Sequence, residues 1–255
     1  MNFEQRLEFI DSLPALPKIN MPRAFTSAPL NQPPHDPSKA TASVMPDTIN
    51  TFLPGASQQI IDDVNLCKLV MKHAADSKYD DKKQKKEWFQ EYVTGLSKIG
   101  WAFQNMSSQE STIRRVGLTM DQVAFEIARN LLTADAASIL SKVAKDAVGA
   151  VKERPQAISI FNRNYKLGLE TNFDISPAWV DNYGQANMVL NCISLNARES
   201  TRGVLFWKST TKSTTVQTSA VRVYLDNRTF SGLRAKLISK YTDAANKFID
   251  NLPDF

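Results

Sequence analysis

The chain has 255 residues, a mean hydropathy of −0.31 and 42% hydrophobic residue types, enough for one sizeable core or two small ones. No apolar run reaches the roughly 18 residues of a transmembrane helix. Two cysteines exclude a disulfide scaffold, and with only two histidines they argue against a tetrahedral zinc site. The net charge is +5, and the whole excess falls in residues 201–255, on Arg202, Lys208, Lys212, Arg222, Arg228, Arg234, Lys236, Lys240 and Lys247. A basic segment concentrates anionic partners. No zinc finger, aromatic RNA-binding strand or recognition helix accompanies it, so nucleic acid is not an expected partner. The alternative is a solvated surface that aids solubility.

Nine of the twelve prolines lie in residues 1–54. Proline fixes φ and lacks an amide donor, so this stretch reads as a Pro-rich arm or pro-segment, with a short helix over 3–12 and an extended course over 13–46. Residues 55–255 read as a single domain: a helical half over 55–153, a meander over 160–226 and a closing helix over 231–251. Ile60, Val64, Cys67, Met71 and Ala74 recur at helical spacing over 56–78, with Asp62, Asp63, Lys68, Lys72 and Asp76 off that stripe. Trp88, Tyr92, Leu96 and Ile99 continue the period in a second helix. The two predict an antiparallel hairpin. Residues 100–106 alternate weakly, as a short strand does.

Thr119 can cap a third helix, lined by Val123, Ile127 and Leu131. A fourth carries Ile139, Val143, Ala147 and Val151, with Leu140, Ala144 and Val148 beside them. Its small and β-branched residues suit close packing in a core, or adaptation to a lipid interface. Beyond Pro155 the pattern turns to β. Strands are expected over 167–176, 186–195, 203–208 and 216–225, and the turns between them imply an antiparallel meander. The fold class is therefore α+β: a meander of about four to six strands, flanked by helical hairpins in an α/β/α-like three-layer arrangement, with the Pro-rich arm.

Chemistry is sparse. There is no Gly-x-Ser-x-Gly, no Gly-x-Gly-x-x-Gly and no P-loop, and neither His35 nor His73 stands near a nucleophile, so the chain reads as non-enzymatic. Cys192 sits in the most apolar strand. It is either a structural thiol or an attachment point for a fatty acyl chain, and no other cofactor is expected. Residues 209–219 hold eight Ser/Thr in eleven, beside Trp207 and Lys208. That is an exposed loop, or an edge that contacts headgroups.

The order of parts, together with Trp101-Ala102-Phe103-Gln104-Asn105 and Val204-Leu205-Phe206-Trp207-Lys208, resembles the Cyt-type cytolytic endotoxins of insect-pathogenic bacteria. In those, two helical hairpins wrap an antiparallel sheet and an N-terminal segment is removed. The layout is also similar to the Erwinia virulence factor family, whose members carry a fatty acid on a cysteine; Cys192 is the residue that would match. The resemblance implies a bacterial virulence or insecticidal protein that binds anionic membrane lipid, and forms pores or carries a lipid. Its expected lipid contacts are Trp207, Lys208, Lys212, Arg222, Arg228, Lys236 and Lys240, and its inserting helix would use Ile139, Leu140, Val143, Val148 and Val151. The alternative is an assembly protein whose arm docks on a neighbouring subunit of a homo-oligomer. Met1-Asn2-Phe3-Glu4-Gln5-Arg6 lacks the basic-then-apolar order of a secretory signal, so synthesis in the cytoplasm and a non-classical release or injection are expected.

Overall fold

The structure, a computed structural model, describes residues 1–17, 34–81, 83–103, 109–114, 117–131, 134–164, 170–196 and 215–255. In chain order the elements are α1 (Phe3–Ser12), β1 (Thr41–Met45), β2 (Thr48–Phe52), α2 (Gln58–Asp76), α3 (Lys85–Lys98), β3 (Trp101–Phe103), β4 (Gln109–Arg114), α4 (Met120–Leu131), α5 (Ala134–Lys152), α6 (Pro155–Phe161), β5 (Glu170–Val180), β6 (Ala186–Asn196), β7 (Thr215–Leu225), α7 (Asn227–Ala245) and β8 (Asp250–Asn251). The fold is α+β. One eight-stranded sheet runs β7-β6-β5-β2-β1-β8, with β3 and β4 both pairing the outer side of β7. Neighbours are antiparallel except β2 and β5, which are parallel.

Strand periodicity divides the interior into two cores. Met45, Phe52, Met188, Leu190, Val221 and Val223 face a layer made by α1, α2, α3 and α7. Val44, Ile49, Phe173, Ile175, Val189 and Ile193 face the layer of α4, α5 and α6. The two expected helical hairpins, α2–α3 and α4–α5, thus lie on opposite faces of the expected meander, β5–β6–β7.

The sheet extends beyond that meander. Residues 41–52, inside the stretch set apart by its prolines, form β1 and β2, and every one of their strand residues is buried. The prolines border these strands without interrupting them. Pro46 and Asp47 make the two-residue turn between Met45 and Thr48, and Asp47 takes the left-handed conformation at φ 55°. The closing helix stops at Ala245, and the chain then adds β8 to the edge of β1. A short helix absent from the sequence reading, α6, starts with Pro155 in its first turn, where the missing amide is no loss. The strand expected over 203–208 lies outside the described residues, as do 209–214.

Gly100 joins α3 to β3 in one step. Its φ is 107°, and a Cβ there would stand 3.2 Å from the backbone nitrogen of Phe230. Only glycine meets both demands.

Candidate functional site

The helix α2 is buried on nearly every side, being enclosed by α3, α7 and the sheet. Two residues expected on its outer polar face therefore lie inside: Asp63 is 4% exposed and Lys68 1%. Lys68 Nζ donates to Asp174 Oδ2 of β5 at 2.7 Å and to Asn50 Oδ1 of β2. The seam continues without a break. Asn50 donates to Asn65 Oδ1, Asn65 to Ser43 Oγ, and Ser43 to Asn251 Oδ1, while Ser176 donates to Asp174 Oδ1. It thus ties α2 to β5, β2, β1 and β8. Burial pushes the Lys68 ammonium below its ordinary pKa, and Asp174 opposes that shift. Such a seam left no trace in the sequence pattern, because a charge off a helix's apolar stripe normally faces water. The one available signal was polar residues spaced two apart along strands: Thr41 and Ser43, Thr48 and Asn50, Asp174 and Ser176.

Beside the seam is a small cavity lined by Thr48, Lys72, Asp81, Trp88, Tyr92, Asn172, Asp174 and Cys192. It has room for about one water molecule. Lys72 Nζ donates to the Pro46 carbonyl at 2.8 Å and to Thr48 Oγ1, and stands 3.8 Å from Asp47. Burial raises the carboxyl of Asp47, with Lys72 opposing the shift. The Cys192 thiol is 7% exposed, and burial pushes it up to about 12. It is a neutral thiol at physiological pH, and a poor nucleophile in that state. A fatty acyl chain on it would require the α2–α3 hairpin to move away from the cavity.

The basic residues of the C-terminal segment do not form one face. Arg222 lies on the α4–α5 side of the sheet, its guanidinium 5.0 Å from the centre of the Trp179 ring. Lys236 and Lys240 lie across the sheet on α7, where they hold the N-terminal helix. Lys236 pairs with Asp11 at 2.7 Å, and Lys240 Nζ donates to the carbonyls of Ile10, Asp11 and Leu13. Arg234 Nε reaches both oxygens of the buried Asp63, at 2.7 and 3.0 Å. Arg228 is exposed in the first turn of α7. Trp207, Lys208 and Lys212 lie outside the described residues. The arm's first helix thus docks on its own chain.

On the other face, the inner side of α5 carries Ala137, Leu140, Val143, Ala144, Ala147, Val148 and Val151, all apolar and buried, and the last four of them join the core against the sheet. Ile139 belongs to the outer side, 53% exposed, with Lys142, Lys145 and Asp146. No helix among the described residues is long and apolar enough to cross a membrane.

No family model and no curated protein matches the chain. Solved structures do. A structure described as a delta-endotoxin matches at 10% identity and a TM-score of 0.40, over 83% of this chain and 91% of its own. The structure of the Evf virulence factor matches at 9% identity and a TM-score of 0.36, over 80% of this chain and 84% of its own. These are the two kinds of protein that the order of elements resembles. No residue correspondence is taken from either.

Proposed function

We propose that the chain is a toxin- or virulence-type protein that acts at membranes, and that its α4–α5 hairpin is the part that enters lipid. The observation that carries this reading is the chemistry of α5. Among its described side chains, every buried one is apolar, while its outer side carries Lys142, Lys145 and Asp146. The inner face gives up no hydrogen bond when it exchanges the sheet for acyl chains, since burial in either removes the same apolar surface from water. A helix with this division lies in the plane of the interface and does not span. The α2–α3 hairpin differs, because the Lys68 seam would have to be broken to lift it.

The test places an environment-sensitive dye on α5. Ile139→Cys, on the exposed side of α5 and in water until the helix meets lipid, is labelled in a background of Cys67→Ser and Cys192→Ser and mixed with anionic or neutral vesicles loaded with a quenched dye. Brightening of the label together with leakage supports the reading. Leakage without brightening moves the inserting element elsewhere, and neither signal on either vesicle rejects membrane action. The lipid-carrying version of the function puts the acyl chain on Cys192 as a thioester. Intact mass of the native protein then shows an adduct that Cys192→Ser removes.

A further inference from the structure

The turn between β5 and β6 displays the most exposed large hydrophobic side chain among the described residues. Tyr183 is 95% exposed at its tip. The display is rigid, because Asp181 ties the turn together. Its Oδ1 accepts from the amides of Tyr183 and Gln185, at 2.9 and 3.0 Å, and its Oδ2 accepts from Asn187 Nδ2. Gly184, at φ 74°, closes the turn. Just behind the tip, Trp179, Asn187 and Tyr224 stand in one row across β5, β6 and β7. Trp179 and Tyr224 are half-buried there. Arg222 stacks on Trp179 from the next row.

We infer that this hairpin tip is the chain's first contact with a lipid interface, with Tyr183 as the residue that enters it; the inference rests on the membrane reading above. Shape decides the kind of partner. A projecting turn has no concavity to enclose a small ligand, which needs a pocket. It does fit a plane. Tyr and Trp combine an apolar ring with a polar edge, the combination that settles at headgroup depth. Charge decides the kind of lipid. The Asp181 carboxyl is held below its ordinary range by the amides of Gln185 and Tyr183, so it stays ionised and offsets Arg222. The tip is close to neutral and has no electrostatic reason to prefer anionic headgroups. Contact here is therefore expected on zwitterionic lipid and insensitive to salt, unlike contact through the basic residues of α7.

The experiment is co-sedimentation of the full chain with protein-free vesicles, of phosphatidylcholine alone or with an added anionic phospholipid, at low and high salt, comparing the native protein with Tyr183→Ser and Tyr183→Trp. The Tyr183 side chain is in water and only its backbone amide serves the turn, so unchanged melting curves are expected. The expected result is partition at both salt levels, a drop of about fivefold in Tyr183→Ser, the scale of one ring leaving the interface, and retention in Tyr183→Trp. Equal binding of the native protein and Tyr183→Ser overturns the inference and leaves the membrane reading standing. Binding confined to anionic vesicles, and lost with salt, also overturns it, in favour of the lysines. No binding to vesicles of either kind removes both.

Discussion

At the scale of single residues, the Lys68–Asp174 pair decides how firmly α2 is held. Removing one partner strands the other charge in the core. Lys68→Ala and Asp174→Asn are each expected to lose about 3–5 kcal/mol in urea denaturation, the usual cost of an uncompensated buried charge. The double variant Lys68→Met, Asp174→Asn is expected to lose less than the sum, because the two share one interaction. The buried carboxyls set a pH dependence. Asp47 and Asp250 have folded pKa values raised by burial. Their protonation favours the folded state, so that contribution is present below the ordinary carboxyl pKa and is lost as pH rises through the folded values. Asp181, Asp226 and Asp254 are shifted the other way. Their contribution is present above the ordinary value and is lost as pH falls through their folded values. Stability is therefore expected to peak in mild acid and to decline toward neutral pH. Melting curves across that range check it, and Asp47→Asn with Asp250→Asn should flatten the decline.

At the scale of elements, the sequence was readable where the hydrophobic period was long and undisturbed. The helices α2, α3, α4 and α5 and the strands β5, β6 and β7 all carry such periods. What it hid were short elements whose partners are far away along the chain. The strand β2 has five residues and pairs in parallel with β5 more than a hundred residues later, so no local spacing announces it. The strand β8 has two residues and exists only because β1 offers an edge. The buried seam was hidden for a related reason. A lysine on an amphipathic helix reads as exposed until the third layer covering that helix is known. Of the candidate site, the apolar stripe of α5 was legible, and the scatter of the basic residues over two faces was not. Two glycines test the local geometry. Gly100→Ala is expected to cost about 1–3 kcal/mol, since it must hold a positive φ against the backbone of Phe230. Gly149, in the interior of α5 with open space where a Cβ would go, is the opposite case. Gly149→Ala is expected to gain up to about 1 kcal/mol by limiting the unfolded chain. Chemical denaturation of both variants reads the contrast.

At the scale of the whole molecule, the two faces of the sheet are fastened by different means. On the α2 side the fastenings are polar and cross-linked. Beyond the seam, Lys240 takes the last carbonyls of α1, Arg6 of α1 takes the carbonyls of Ser97 and Lys98 at the end of α3, and Tyr241 reaches the Pro14 carbonyl. Each cation meets the negative end of a helix it does not belong to. On the α5 side, the helix itself meets the sheet through apolar residues, and the polar ties, Arg154 to Asp250 of β8 and Asn164 to Asp47, lie beyond its C-terminal end. Hydrogen bonds depend on geometry and resist sliding, whereas apolar contact is non-directional and can be exchanged for another apolar surface. The molecule should therefore open in two stages. Native-state hydrogen exchange in low denaturant is expected to show α4 and α5 opening at a lower free energy than α2 and the central strands β5 and β6. Lys240→Met should lower the protection of α1 and leave that of α5 unchanged, since the two lie on opposite sides of the sheet. If all these amides instead exchange through one global opening, the α4–α5 layer is not separable from the sheet. The proposed entry of that hairpin into lipid would then lack its first step.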